Sequence, residues 1–155
     1  MNDALTLVPI GRVAGGRTEV RDDGWAAETA TIRLDGARFD AEALAGLDAF
    51  SHLEVVFVFD RVDPDGVETG ARHPRGDRRW PRVGIFAQRA KDRPNRLGVS
   101  RCRLLAVDGL ELCVAGLDAV DGTPVLDIKP YMNEFAPQEP THQPVWSTEL
   151  MAGYW

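Results

Sequence analysis

Asp-Gly dipeptides, which favour tight turns, divide much of the chain into short segments with the composition of β-strands. Residues 28–34 alternate threonine and arginine with alanine, isoleucine and leucine, a pattern typical of a strand with one buried face. Residues 52–60 form a nearly continuous β-branched and aromatic run, which predicts a strand that is buried on both faces or lies at a tight interface. These turn signals and strand patterns predict many short strands joined by tight turns.

Another turn signal, Asp108-Gly109, lies between residues 99–107 and 110–117 and predicts a two-residue β-hairpin. The predicted register puts four side chains on one apolar face: Cys102, Leu104, Ala106 and Cys113. Arg101 and Arg103 then take the opposite, basic face. The hairpin therefore has one side for a core and one side for solvent or a ligand.

The remaining segments complete the prediction of a mostly β fold. Further strands are predicted over residues 5–13, 83–88 and 125–128. Asp40 suits the N-cap of a short helix over residues 41–47, and residues 144–151 predict a terminal amphipathic helix with proline at its first position. Because strands dominate without a βαβ alternation, we expect an antiparallel barrel or sandwich with one short helix and a C-terminal helix.

Length and composition indicate one domain, residues 1–155, and argue against several protein classes. The 155 residues are 44% hydrophobic, which suffices for a single core. The sequence lacks a long apolar run and a signal-peptide pattern, so we expect a cytoplasmic protein that does not span a membrane. The two cysteines are expected to be core thiols, and the three histidines do not form a metal-ligand set, so no metal is expected.

Positive charge is concentrated in one part of an acidic chain. The net charge is -6, yet residues 61–103 hold 12 of the 18 Lys and Arg residues and 5 of the 24 Asp and Glu residues. That segment carries an excess of seven positive charges, whereas the rest has 6 basic and 19 acidic residues. Such asymmetry is typical of polyanion binding, although a set of solvated surface charges is an equally open interpretation.

The loop "FAQRAKDRPNRLGVS", residues 86–100, is longer and more basic than a hairpin requires. Pro94 fixes its own backbone and extends Arg93, while Asn95 can close a turn, so the loop can be stiff before a ligand binds. Guanidinium groups bind carboxylate or phosphate in a bidentate manner, which makes Arg89 and Arg93 candidate anchors. The alternative is that Arg93 pairs with Asp92 or another acid and only holds the turn.

Three ordered motifs resemble those of a known family. They are "LDAFSHLEVVFVF", "GIFAQRAKDRPNRLGVS" and "GLDAVDGTPVLDIKPY", within residues 10–131. The chain resembles the TsaA-like family, which includes the TrmO-type tRNA N6-methyltransferases. The resemblance implies a small antiparallel β-barrel, a homodimer, and S-adenosylmethionine bound at the subunit interface as methyl donor. The substrate that it implies is threonylcarbamoyl-adenosine next to the anticodon of tRNA.

The same resemblance implies a cofactor site and a candidate for the proton acceptor. The implied cofactor-binding positions are Arg21, Asp22, Asp23, Asp60, Arg61, Arg89, Arg93, Pro94, Asn95, Val99, Leu117, Asp118, Ala119, Val120, Asp121 and Gly122. Residues 117–122 would contribute largely through their backbone. Asp60 is the candidate catalytic residue, because a carbamoylated N6 is a poor nucleophile that benefits from a group accepting its proton.

Two departures from the family pattern leave the acceptor open. The family usually has His-Gln where this chain has Asp60-Arg61, and Pro-Ile-Gly where it has Arg96-Leu97-Gly98. One alternative is a sensor or accessory module that binds S-adenosylmethionine without RNA chemistry. Another is a methyltransferase with a small-molecule acceptor. For Asp127, Lys129 and Tyr131, structural and functional roles are equally open.

Overall fold

In a computed structural model that describes residues 3–155, six antiparallel strands close into a barrel. The strands of the chain are β1 (Gly11–Ala14), β2 (Thr29–Leu34), β3 (His52–Val58), β4 (Ala71–Arg72), β5 (Val83–Gly84), β6 (Leu97–Asp108), β7 (Glu111–Ala115) and β8 (Pro124–Pro130). The barrel order is β1-β2-β7-β6-β3-β8, and β4 and β5 pair separately. The prediction of a mostly β fold with a small antiparallel barrel is confirmed.

The barrel is filled by one face of each strand. Its fully buried side chains include Val13, Ile32, Leu53, Val55, Phe57, Leu112, Val114 and Val125. Along β3, burial alternates residue by residue, so the prediction that this strand is buried on both faces is wrong. Its neighbours β6 and β8 belong to the same single-layered wall, and only one face of that wall points to the core.

The helical content is smaller than the sequence predicted. The helix expected over residues 41–47 is two 3-10 turns, Ala41–Leu44 and Leu47–Ala49, because Gly46 between them has a φ of 83°. Asp40 does cap the first turn, since its carboxylate accepts from the Glu42 amide. The terminal helix α1 spans Val145–Leu150, and Pro144 precedes it as the N-cap.

Three strand predictions also need correction. The first strand begins only at Gly11, after Pro9, and the segment 83–88 is β5 followed by the 3-10 turn Ile85–Ala87. In the hairpin, Asp108 pairs with Glu111, and the strands shift register between Leu104 and Ala106. Cys113 therefore does not join the core, whereas Cys102 does. Burial raises the pKa of the Cys102 thiol to about 12, so this core thiol is protonated at neutral pH.

The strand directions bring three long loops to one end of the barrel. Strands β1, β3 and β7 end there, and β2, β6 and β8 begin there, because neighbours are antiparallel. The loops are residues 15–28, 59–96 and 116–123. Loop 59–96 contains most of residues 61–103, the segment in which positive charge is concentrated. Within residues 3–155, no helix is long and apolar enough to cross a membrane.

Candidate functional site

A cleft of about 1330 Å³ lies at the end of the barrel where the three long loops meet. Its walls come from loop 15–28, from the end of β3 and loop 59–96, and from loop 116–123. The last wall is a segment that we call the C-terminal strap, residues 143–155. Four segments that are far apart in the sequence thus build one concave surface.

Most of the positions implied by the family resemblance line this cleft. Twelve of the sixteen do so: Arg21, Asp22, Asp60, Arg61, Arg89, Arg93, Pro94, Asn95, Val99, Asp118, Ala119 and Val120. The other four are Asp23, Leu117, Asp121 and Gly122, which support the walls from behind. The Asp23 carboxylate pairs with Arg75, Leu117 belongs to the core, the Asp121 carboxylate accepts from the Gly15 amide, and the Gly122 carbonyl accepts from Arg12.

The loop of residues 86–100 is held in place partly by its own arginines. Arg93 donates to the Gln88 carbonyl at 2.9 Å, and Arg96 donates to the Val62 carbonyl at 2.9 Å. Asp92 pairs with Arg72 at 2.7 Å instead of with Arg93. Arg93 thus holds the turn through backbone carbonyls while its side chain also lines the cleft. The alternative that Arg93 holds the turn agrees with these contacts. The suggestion that it does so by pairing with Asp92 is wrong.

Arg89 is the exposed arginine of residues 86–100 that lines the cleft. Its Nη2 atom donates to the Val99 carbonyl at 2.8 Å, and the side chain is exposed. This single bond orients the guanidinium at the cleft wall and leaves its other N–H groups available. Lys91 lines the same wall. An anionic group of a ligand would meet both charges.

Two carboxylates, those of Asp60 and Asp118, also line the cleft. The Asp118 carboxylate accepts a hydrogen bond from the Tyr154 hydroxyl through Oδ2, and its Oδ1 atom is buried without a donor among residues 3–155. Burial, followed by the charge of Asp118, raises the pKa of Tyr154, so the phenol keeps its proton. Asp60 is exposed on the cleft wall, and its carboxylate has no hydrogen bond or ion pair with the described residues. Arg61 links loops 15–28 and 116–123 through the Thr18 and Asp121 carbonyls.

Loop 15–28 is anchored by a buried tryptophan. Trp25 is 5% exposed, its indole N–H donates to the Asp22 carbonyl at 2.8 Å, and the Arg17 guanidinium lies 3.9 Å from its ring centroid. Arg75 forms a bidentate pair with Asp23, and that hydrogen bond raises the pKa of Arg75. The Arg75–Asp23 pair ties loop 15–28 to loop 59–96.

Sequence reasoning did not identify the strap or Gln88 as parts of the cleft. Trp146, Leu150, Met151 and Tyr154 line it from the strap. The amphipathic pattern of residues 144–151 was the available signal, because its apolar face needed a surface to cover. Three positions left open by the sequence lie outside the cleft: Asp127, Lys129 and Tyr131. Lys129 pairs with Asp127 at 2.9 Å, and Tyr131 lies beside the Arg101 guanidinium.

The family model of the tRNA-methyltransferase O N-terminal domain matches residues 20–136, three quarters of the chain. The chain belongs to this family. A tRNA (adenine(37)-N6)-methyltransferase of Escherichia coli is 45% identical over 98 residues, which cover 59% of this chain and 40% of that protein. A probable S-adenosyl-L-methionine-binding protein of Archaeoglobus fulgidus is 40% identical over 90 residues, which cover 58% of this chain and 23% of that protein.

Solved structures agree with the family assignment. A crystal structure of TrmO from Pseudomonas aeruginosa has a TM-score of 0.74 and 28% sequence identity, and the match covers 92% of this chain and 63% of that chain. The chain spans about two fifths of the length of its Escherichia coli relative.

Proposed function

We propose that this chain is an S-adenosylmethionine-dependent methyltransferase that acts on tRNA, at N6 of the threonylcarbamoyl-adenosine at position 37. The observation that carries the proposal is the cleft itself, at which twelve of the sixteen family-implied positions converge. Relatives with 34% to 45% identity are named tRNA (adenine(37)-N6)-methyltransferases. Their names agree with the chemistry that the lining of the cleft suggests.

The residues of the cleft fit the chemical groups of S-adenosylmethionine. Arg89 offers N–H donors for a carboxylate, and Asp60 and Asp118 offer oxygen atoms near a positive sulfonium or ammonium group. Asp118 Oδ1 and Gln88 Oε1 are buried acceptors without donors in the described part of the chain, as expected where a ligand supplies N–H or O–H groups. Phe59, Leu97 and other apolar side chains provide walls for an adenine ring.

Bound S-adenosylmethionine would supply an electrophilic methyl group, and the chain would mainly align the acceptor. Alignment of the acceptor nitrogen can supply a large part of the rate enhancement. In this proposal Asp60 accepts the N6 proton. Its exposure to the cleft, and the absence of a hydrogen bond or ion pair to its carboxylate among residues 3–155, support that role. The next residue, Arg61, donates hydrogen bonds to the Thr18 carbonyl at 2.7 Å and to the Asp121 carbonyl at 3.0 Å, which hold this part of the chain against the two neighbouring loops.

The proposed partners are tRNA and a second copy of the chain. Arg78 and Arg82 are exposed on loop 59–96 and have no ion pair within the described residues, so both can contact phosphates. Phe86 is 78% exposed and Val99 is 50% exposed, and both line the cleft. Exposed apolar groups at such a position support a homodimer with the cofactor site at the subunit interface. A cytoplasmic location, predicted from the sequence, is part of the proposal.

Salt dependence of tRNA binding tests the partner. We expect the logarithm of the association constant for tRNA to fall linearly with the logarithm of the salt concentration. The slope should shrink by about one in Arg78→Ala or Arg82→Ala, because each substitution removes one cation that neutralises a phosphate. Fluorescence anisotropy with labelled tRNA measures this slope. Arg33→Ala is the matched control, because Arg33 pairs with Glu111 on the barrel wall away from the cleft.

A second candidate function rests on the Asp60-Arg61 pair that replaces the usual His-Gln of the family. The cleft would then bind S-adenosylmethionine either as a sensor or for a small-molecule acceptor. The name of the Archaeoglobus fulgidus relative, which states binding alone, is compatible with this function. Binding of S-adenosylmethionine without salt-dependent binding of tRNA would favour the second candidate over the first.

A further inference from the structure

The C-terminal strap lies outside the family match, which ends at residue 136, yet it forms a wall of the cleft. The chain leaves β8 at the end of the barrel opposite the cleft, and the strap brings it back to the cleft end. Helix α1 presents Trp146 and Leu150 to the cleft, and Met151 follows. The strap is therefore positioned to shape whatever the cleft binds.

Two sets of hydrogen bonds fasten the strap, and both involve Tyr154. The Tyr154 hydroxyl donates to Asp118 Oδ2 in loop 116–123. Its backbone carbonyl accepts from the Trp25 amide at 2.9 Å and from the Gly24 amide at 3.0 Å, and the Gly153 carbonyl also accepts from Gly24. One residue thus joins two of the loops at which the family resemblance implies cofactor contacts.

The Asp118 carboxylate depends on Tyr154 for its orientation. Within residues 3–155, the Tyr154 hydroxyl is its only hydrogen-bond donor, and the other carboxylate oxygen is buried without one. A hydrogen bond to a charged group is stronger than one between neutral groups, so its loss would release the carboxylate. The backbone bonds to Gly24 and Trp25 hold the neighbouring segment, which contains Asp22 on the cleft wall.

We infer that Tyr154 is a positioning residue of the cofactor site: it holds the Asp118 carboxylate and residues 22–25 in the arrangement that receives the ligand. The inference rests on the proposed function only for the identity of that ligand. The strap is then an integral part of the binding site, and its docking is coupled to ligand affinity.

The two tyrosines of the chain provide a matched pair of variants. Tyr154→Phe removes the hydroxyl that binds Asp118, and Tyr131→Phe removes the hydroxyl of a tyrosine outside the cleft, whose ring lies beside the Arg101 guanidinium. We expect Tyr154→Phe to weaken calorimetric affinity for S-adenosylhomocysteine by at least about tenfold, the size of one hydrogen bond to a charged group. We also expect faster amide hydrogen exchange at Gly24 and Trp25, because loss of the hydroxyl loosens the strap whose backbone carbonyls accept from these two amides. Tyr131→Phe should change neither measurement.

A double-mutant cycle separates positioning from general destabilisation. In an Asp118→Ala background, Tyr154→Phe should cause little further loss of affinity, because the partner of the hydroxyl is already absent. Additive losses in this cycle would overturn the inference, as would unchanged exchange and affinity in Tyr154→Phe alone. Thermal unfolding of each variant identifies any effect that comes from loss of the fold.

The two levels of the proposal can fail separately. If the wild-type chain binds no S-adenosylhomocysteine, the proposed cofactor is wrong. Exchange at Gly24 and Trp25 still tests whether Tyr154 positions the loop, because that measurement requires no ligand. Unchanged exchange in Tyr154→Phe would then overturn the positioning role, and faster exchange would support it.

Discussion

Replacing Phe57 with alanine is expected to lower the free energy of unfolding by about 3–5 kcal/mol. Phe57 is 1% exposed and is among the largest fully buried side chains of the barrel. Its ring packs edge-on against Phe59 and covers Gly98, where any side chain would overlap the ring. The barrel is closed by strand pairing on both sides of β3, so its wall cannot easily collapse into the space left by the ring.

Phe135→Ala is the matched control for this loss of stability. Phe135 is 73% exposed and does not line the cleft, and we expect its truncation to change the free energy of unfolding by at most about 0.5 kcal/mol. Urea denaturation followed by circular dichroism measures both variants. Equal stabilities of Phe57→Ala and the wild type would contradict a core centred on the Phe57 ring.

Arg89→Ala is expected to weaken the binding of S-adenosylmethionine by about 1.5–3 kcal/mol, the usual size of a hydrogen bond to a charged group. The Arg89 guanidinium is oriented by the Val99 carbonyl and retains free N–H groups at the cleft wall. Alanine would remove this guanidinium from the cleft wall, where Lys91 remains. Calorimetric titration of both proteins with the cofactor measures the difference.

The control for Arg89 is Arg103→Ala. Arg103 is exposed on β6 and does not line the cleft, although it has the same charge. We expect its removal to leave cofactor affinity unchanged, which separates a local contact from the overall charge of the segment. Equal effects of the two substitutions, or none from Arg89→Ala, would remove Arg89 from the binding site.

Local patterns predicted the barrel well, because alternation and turn dipeptides act over a few residues. The strands around residues 29–34 and 52–58 and the hairpin near Gly109 were found in this way. Where the prediction failed, the structure is determined by contacts between segments that are distant in the sequence. The register shift between Leu104 and Ala106 and the single-layered wall around β3 follow from closure of the barrel, which no local pattern encodes.

The site could be predicted only in part, for the same reason. The family resemblance supplied positions in loops 15–28, 59–96 and 116–123, and twelve of those positions line one cleft. Tyr154 was missed because its contacts with Asp118 and with Gly24 join parts of the chain that are distant in sequence. That all 155 residues form one domain stays a prediction, as do the individual roles of the cofactor-site residues.

Methyl transfer by the purified chain tests the central claim most directly. Labelled S-adenosylmethionine is incubated with tRNA that carries threonylcarbamoyl-adenosine at position 37, and with the same tRNA lacking that group, before nucleoside mass spectrometry. We expect a labelled methyl group at N6 of the modified adenosine, with strongly reduced yields for Arg89→Ala and Asp60→Asn. Binding of the cofactor without a methylated nucleoside in either tRNA would contradict the proposed activity.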